Sequence, residues 1–224
     1  TRREDFLSTL LGHGIRTRMK IGAKKDGTLT AIQTTVYHST GAYADTGIHV
    51  SIASAHNSTG TYEFPNCYLE SYLVYTNTTP IGAYRGYGHQ ESQFAVERLM
   101  DMLARKLNMS PFDLRDKNYL GPGKKTSMGE TLWETHGDVR KCVDKVKQAM
   151  FSKPKPKEDE NFWYGRGFSG AMKSPKGAPF SSKGCYMKLN PDGSASINTR
   201  ASTTNAAIFV AAAMKPVTGV GAPS

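Results

Sequence analysis

A glycine-rich segment at residues 82–88, Gly-Ala-Tyr-Arg-Gly-Tyr-Gly, holds the residue types best suited to binding a ligand. Glycine lets a backbone approach a ligand closely, and a helix predicted to begin near Gln90 would offer unpaired N–H groups to an anion. Arg85 adds a permanent cation. The spacing, Gly-x-x-x-Gly-x-Gly, matches neither the dinucleotide-binding pattern nor a P-loop. From these residues alone, a loop that holds an anionic or planar ligand and a plain turn with a paired arginine both stay open.

Cysteine and histidine give no comparable signal. The three cysteines, Cys67, Cys142 and Cys185, form no Cys-x-x-Cys pair, a pattern that suits a reducing, cytoplasmic compartment. The six histidines include no His-x-x-x-His pair, so no metal site made of protein ligands alone is predicted.

The composition is that of a folded protein with a large positive charge, which indicates an anionic partner or ligand. Of 224 residues, 38% are hydrophobic and 21% charged, and no run approaches the ~18 apolar residues that would span a membrane. The net charge is +10, with lysines concentrated at residues 141–157. Nucleic-acid binding is one interpretation, but only one aromatic residue, Phe151, falls among these lysines, so the aromatics are not interleaved with them. An acidic partner subunit or an anionic cofactor would use the same charge.

The predicted elements begin with a hairpin. Residues 15–23 alternate apolar and polar side chains, residues 25–28 (Lys-Asp-Gly-Thr) form a turn, and residues 29–37 return as a second strand. Further strands are predicted at residues 68–76, 163–171, 184–189 and 194–198. This pattern predicts an α+β fold with antiparallel hairpins and segregated helices.

Helices are predicted at residues 50–55, from Gln90 to residue 107, after Ser110 and after Asp138, where Ser110 and Asp138 are N-caps. The long helix is expected to bury an apolar stripe: Ala95, Leu99, Met102, Leu103 and Leu107. Cys142 is expected to be a small core hydrophobe in the last helix.

The order of several segments resembles the large, molybdenum-cofactor-binding subunit of the xanthine dehydrogenase/aldehyde oxidase family, the molybdenum hydroxylases. Residues 22–31 (Gly-Ala-Lys-Lys-Asp-Gly-Thr-Leu-Thr-Ala) resemble a family hairpin, and residues 41–45 (Gly-Ala-Tyr-Ala-Asp) resemble the loop after it. Residues 62–66 (Tyr-Glu-Phe-Pro-Asn), 80–88, 97–118 and 188–194 (Lys-Leu-Asn-Pro-Asp-Gly-Ser) follow in the family's order. The resemblance covers about residues 1–199 and identifies the chain as an internal piece of such a subunit.

The resemblance implies a function for the glycine-rich segment. Such enzymes hydroxylate a heteroaromatic or aldehyde substrate with oxygen from water, using a molybdenum-molybdopterin cofactor, usually its cytosine dinucleotide form in bacteria. [2Fe–2S] clusters and FAD on partner subunits or domains carry electrons away. Carried over by position, Tyr84, Arg85 and Gly86 bind the cofactor, and Tyr87 packs against the substrate ring. A core position remains the alternative for Tyr84 and for Tyr87.

Departures from the family pattern narrow the prediction. The counterpart of a purine-binding arginine would fall near Ala53, where residues 51–55 contain no arginine, so purine substrates are disfavoured. Gly86 stands where the copper-containing carbon monoxide dehydrogenases carry cysteine, which disfavours that branch. The family's catalytic glutamate and its Gly-Gln-Gly motif have no match here, so no catalytic residue is assigned and the chain alone is expected to be inactive.

The resemblance also divides the chain. Residues 1–152 correspond to the first part of the molybdopterin-binding region, residues 153–161 form a Lys/Pro linker, and residues 162–199 begin a second molybdopterin-binding subdomain. Residues 200–224 are an atypical tail, interpreted as disordered or as translated out of frame. Two alternative functions stay open: a non-catalytic scaffold or assembly subunit of a split enzyme, and a basic nucleic-acid-binding module.

Overall fold

The computed structural model describes residues 1–8, 11–154, 161, 163–172, 185–192 and 194–199. The chain divides into two compact units, Thr1–Lys173 and Ser174–Ser224. The α-helices are α1 (Arg2–Ser8), α2 (Gly47–His56), α3 (His89–Leu107), α4 (Pro111–Asn118) and α5 (Val139–Phe151). The strands are β1 (Ile15–Ala23), β2 (Leu29–Gly41), β3 (Asn66–Tyr75), β4 (Cys185–Leu189) and β5 (Ala195–Thr199). Within the described residues, no helix is long and apolar enough to cross a membrane.

The predicted hairpin is confirmed as the β1–β2 pair, antiparallel from Ile15 opposite His38 to a bulge beside Gly22. Asp26 shapes its turn, because the backbone N–H and the hydroxyl of Thr28 both donate to the Asp26 carboxylate over 3.0 Å. Lys117 on α4 pairs with the same carboxylate at 2.9 Å. The turn is therefore fixed both locally and by a distant helix.

The sheet of the larger unit is mixed, in the order β1-β2-β3. The predicted strand at residues 68–76 exists as β3, but β3 pairs in parallel with β2 and does not form another antiparallel hairpin. A parallel neighbour requires a crossover connection, and α2 supplies it between the two strands. Helices and a sheet coexist as predicted, and the α+β fold class is confirmed.

The stripe predicted for α3 is wrong in part. The helix buries Val96, Met100 and Ala104 at four-residue spacing, whereas Met102 is 52% exposed. Leu103 and Leu107 are half-buried against the core, and Ala95 and Leu99 are half-buried as well. The prediction counted only apolar side chains, but α3 also buries polar ones: Ser92, Gln93 and Glu97. The hydrogen bonds of Ser92 to Ser54 and of Glu97 to Arg115 place these two side chains on the buried face of the helix.

Both predicted helix caps are confirmed. The Ser110 side chain accepts a hydrogen bond from the N–H of Phe112, and the Asp138 side chain accepts one from Arg140. The prediction for Cys142 is wrong, because Cys142 is exposed. Among the residues of α5, only Val143 is buried, so a single line of this helix contacts the core.

The smaller unit contains the predicted hairpin near its start: β4 and β5 pair antiparallel, with Cys185 opposite Thr199. The strand predicted at residues 163–171 is wrong, since its described residues have no strand partner. Most of the predicted linker (residues 155–160) and the tail (residues 200–224) lie outside the described residues. The domain boundaries stay a prediction.

Candidate functional site

The Arg85 loop, residues 82–88, begins at three backbone anchors. The N–H of Ile81 donates to the carbonyl of Thr40 at the end of β2, over 3.0 Å. The N–H of Gly82 donates to the carbonyl of Leu11 over 3.3 Å, and that of Ala83 donates to the Thr46 hydroxyl over 2.8 Å. The loop is thereby fixed to the sheet and to the residue that precedes α2.

The second half of the loop is a tight turn that requires left-handed backbone conformations. The N–H of Tyr87 donates to the carbonyl of Tyr84 over 2.9 Å, and φ is +113° at Gly86, +57° at Tyr87 and +85° at Gly88. A Cβ on Gly88 would lie 2.6 Å from the Val50 carbonyl oxygen on α2. Tyr87 has no such freedom, so its conformation stores about 1–2 kcal/mol of strain.

The loop and α3 are held against α2 by two buried serines. The Ser54 and Ser92 hydroxyls lie 2.7 Å apart, and the Ser92 hydroxyl also lies 3.3 Å from the Gly88 carbonyl oxygen. These side chains are small, so the helices approach closely at the point where α3 begins. The packing of α2 against α3 therefore sets the direction in which the loop faces.

The four residues predicted to form the site lie together in this turn. Tyr84 is 59% exposed, so it is not a core aromatic, and Tyr87 is half-buried. Arg85 is exposed, and within the described part of the chain its guanidinium has no ion-pair or hydrogen-bond partner. The backbone N–H groups of residues 84–86 likewise have no acceptor among the described residues. A guanidinium and successive backbone N–H groups that have no partner among the described residues are donors suited to an anion.

A buried charged network between α3 and α4 was not predicted from the sequence. The Arg115 guanidinium lies 2.8 Å from a Glu97 carboxylate oxygen and 2.8 Å from Asp101, and Tyr62 donates its hydroxyl hydrogen to Glu97 over 2.5 Å. Arg115 and Glu97 are both buried. Burial, reinforced by the Glu97 charge, raises the pKa of Tyr62. The network joins α3 to α4 and so supports the helix that follows the loop.

A buried histidine, His38, was also missed. It lies on the inner face of β2, fully buried, with its ring edge-on to His13 at a centroid distance of 5.6 Å. Burial, with a further effect from His13, lowers the pKa of His38 to about 4. The Nδ1 of His13 lies 2.7 Å from the Ser39 carbonyl oxygen. The position of His38 in the apolar-polar alternation of β2 was the available signal.

Fold and loop together define a class: an α+β domain that presents a glycine-rich, cationic turn at the start of a long helix. The family model of the molybdopterin cofactor-binding domain matches residues 1–119. The chain belongs to this family of molybdopterin cofactor-binding domains.

Relatives from known enzymes agree with the assignment. The nicotinate dehydrogenase large molybdopterin subunit of Eubacterium barkeri is 34% identical over 141 residues, covering 62% of this chain and 33% of that protein. The aldehyde oxidoreductase of Megalodesulfovibrio gigas is 33% identical over 185 residues, covering 81% of this chain and 20% of that protein.

A solved structure supports the same fold. The aldehyde oxidoreductase from Desulfovibrio gigas matches 83% of this chain and 21% of its own chain, with a TM-score of 0.60 and 27% identity. The chain thus spans between a fifth and a third of the length of these relatives.

Proposed function

We propose that this chain forms one wall of the molybdopterin site in a molybdenum hydroxylase, with Tyr84, Arg85 and Gly86 beside the cofactor. One observation carries the proposal: Arg85 is exposed, its guanidinium has no partner among the described residues, and the N–H groups of residues 84–86 are free there as well. The alternative, a plain turn with a paired arginine, requires a carboxylate beside Arg85, and no such partner lies among the described residues. The molybdopterin cofactor-binding family of residues 1–119 supports a molybdopterin as the anionic ligand of this turn.

The residues present suit that cofactor. Molybdopterin carries anionic phosphate and dithiolene groups, and such groups favour backbone N–H donors and a fixed cation. When bound, the cofactor supplies the two-electron oxidation. This chain's share is to hold and orient the cofactor through the Arg85 loop, whose shape Gly88 and α2 maintain. Tyr87, half-buried in the same turn, would stack on a flat substrate ring, a contact worth about 0.5–1.5 kcal/mol beyond area burial.

The finer points of the proposal follow the family resemblance. The substrate is a heteroaromatic compound or an aldehyde, a range that includes the nicotinate and aldehyde named in two relatives. The cofactor is the cytosine dinucleotide form, and partner subunits or domains of a cytoplasmic enzyme carry the [2Fe–2S] clusters and FAD. The chain alone is inactive, because a span of a fifth to a third of the relatives leaves most of the site to other segments.

The test is cofactor content. The full chain, purified with whatever polypeptides accompany it from a host that makes molybdopterin, should contain molybdenum and pterin at near one per chain. Arg85→Gln should lower both at least roughly tenfold, the effect of losing about 1.4 kcal/mol of binding energy. Arg85→Lys should retain part of the content, since lysine keeps the charge but not the planar fork.

Arg105→Gln is the matched control, because Arg105 is an exposed arginine at the far end of α3, roughly 24 Å along the helix. Its cofactor content should equal that of the unmodified chain. Absence of pterin from every purified complex would refute cofactor binding and favour the scaffold alternative. Full cofactor content in Arg85→Gln would refute the role of Arg85 alone.

A further inference from the structure

Strand β1 is an edge of the three-stranded sheet and has a free side for hydrogen bonding. The N–H of Ser39 donates to the Gly14 carbonyl over 2.9 Å, and the register continues with Ile15 opposite His38. Because bonded and non-bonded pairs alternate in an antiparallel ladder, residues 16, 18 and 20 direct their backbone groups to β2. The backbone groups of Ile15, Thr17 and Met19 therefore point away from the sheet, where no described residue pairs with them.

An apolar groove runs along this free edge. The inward-facing side chains of Ile15, Thr17 and Met19 line one side, and α3 lines the other with Phe94, Leu99 and Met102. The lining also includes polar and charged residues: His13, Gln90, Glu91 and Arg98. The groove has a volume of about 570 Å³. Phe94 is 77% exposed, which is unusual for a phenylalanine on a helix that packs against the same sheet. α3 thus extends apolar surface over the place that the next strand of the sheet would occupy.

The opposite face of the edge is cationic. Arg16, Arg18 and Lys20 alternate with the groove residues and are all exposed. In the part of the chain that the structure describes, none of the three forms an ion pair. A strand added here would have every second side chain beside these cations and the others in the apolar groove.

We propose that the free edge of β1 binds an extended segment of a partner polypeptide in which apolar and acidic side chains alternate. The segment would add a fourth strand to the sheet, bonding to the outward backbone groups of Ile15, Thr17 and Met19. Its apolar side chains would pack against Phe94 and Met102, and its carboxylates would pair with the cations of β1. The outward groups from Ile15 to Met19 span roughly 14 Å, enough for about five residues, and a seven-residue segment would extend one residue past each end.

A second copy of the chain fits the same edge poorly. If two β1 strands paired antiparallel, the arginines of one copy would oppose those of the other on one face, and like charges directly opposite are destabilising. Cations on an edge also protect sheets against unwanted pairing. The cations of β1 disfavour pairing with basic strands but attract acidic ones. Protection of the edge also does not account for the exposed apolar surface of α3.

The test measures binding of fluorescent seven-residue peptides to the full chain by anisotropy. A peptide that alternates valine and glutamate should bind at least about tenfold more tightly than a scrambled peptide of the same composition, since about 1.4 kcal/mol is the size of one or two net hydrogen bonds. A valine-lysine version should not bind. In the peptide, every second backbone N–H would face β1. Methylating the nitrogens of that set of residues should abolish binding, whereas methylating those of the other set should not.

Protein variants provide the second arm. Thr17→Pro removes an outward N–H and spares the ladder with β2, so it should weaken binding at least about tenfold with the far-UV spectrum unchanged. Arg18→Glu should weaken binding of the valine-glutamate peptide. Arg105→Glu makes the same change in net charge at a position outside the groove, so it should leave binding unchanged.

Three results would overturn the proposal: equal binding of the ordered and scrambled peptides, equal effects of the two charge reversals, or no effect of methylating either set. Concentration-dependent dimers that Thr17→Pro abolishes would overturn it in favour of a second copy.

Discussion

Gly88 offers a quantitative test of how the Arg85 loop is shaped. It is the N-cap of α3, with φ of +85°, and its α-carbon faces the backbone of α2. A Cβ at this position would lie 2.6 Å from the carbonyl oxygen of Val50 and 3.1 Å from the backbone nitrogen of Ser54. Both contacts are with backbone atoms of a helix, so no side-chain rotation relieves them. Gly88→Ala therefore encounters a conformational penalty and a steric one.

The two penalties can be separated by a matched variant. Gly123 has nearly the same backbone conformation, with φ of +83°, but open space where a Cβ would be. The free energy of unfolding of Gly123→Ala should thus fall only by the cost of a left-handed alanine, about 1–2 kcal/mol. The free energy of unfolding of Gly88→Ala should fall by that amount plus about 1–3 kcal/mol, because the Cβ forces α2 away from α3. The total loss is about 2–5 kcal/mol.

Urea unfolding of the full chain, followed by far-UV circular dichroism, gives the free energy of unfolding for each variant. If Gly88→Ala and Gly123→Ala lose the same free energy within about 0.5 kcal/mol, the close approach of Gly88 to α2 does not stabilise the fold and the reasoning fails. Under conditions in which Gly88→Ala stays folded, its cofactor content can be measured as well. Its cofactor content should fall, since a shift of α2 displaces the turn that presents Arg85, whereas Gly123→Ala should keep the full content.

Three further predictions concern buried polar groups. Arg115→Met should lower the free energy of unfolding by about 3–5 kcal/mol because it leaves the Glu97 carboxylate buried without its partner. Adding Glu97→Leu should recover part of the loss in urea unfolding, but not all of it, because Tyr62 then lacks its acceptor. Burial lowers the pKa of His38 from 6.5 to about 4, so this histidine is neutral in the folded chain at neutral pH. As pH falls through that window the unfolded chain gains a proton that the folded chain does not, so stability should drop by about 1.4 kcal/mol per pH unit, a slope that His38→Gln should flatten. Asn118→Ala should speed hydrogen exchange at the Leu29 amide, whose 3.0 Å bond to the Asn118 side chain it removes; unchanged exchange would contradict the role of Asn118.

Local structure was predictable wherever a few neighbouring residues determine it. The β1–β2 hairpin follows from alternation around the Lys-Asp-Gly-Thr turn, and the caps at Ser110 and Asp138 follow from side chains that bond within two residues. Pairing between distant segments was not predictable in this way. β3 pairs in parallel with β2 because α2 returns the chain across the sheet, which the composition of β3 does not encode.

The polar interior accounts for the remaining errors. A count of apolar residues places Met102 in the core, but the buried face of α3 includes Ser92, bonded to Ser54, and Glu97, bonded to Arg115. Each of these contacts joins residues at least 18 positions apart. A carboxylate is costly to bury without a charged partner, so the burial of Glu97 cannot be predicted without knowing that Arg115 lies opposite.

The glycines of the Arg85 loop show the same limit within a motif. Gly82 donates its N–H to the Leu11 carbonyl, so it lies where the loop leaves the sheet. A Cβ on Gly86 would meet the end of the Gln90 side chain, which is exposed and able to move. A Cβ on Gly88 would meet backbone that is fixed. The spacing Gly-x-x-x-Gly-x-Gly thus combines three separate constraints, of which only the last involves another helix. For that reason the spacing alone could not distinguish a ligand loop from an ordinary turn, and it defines this loop only together with α2.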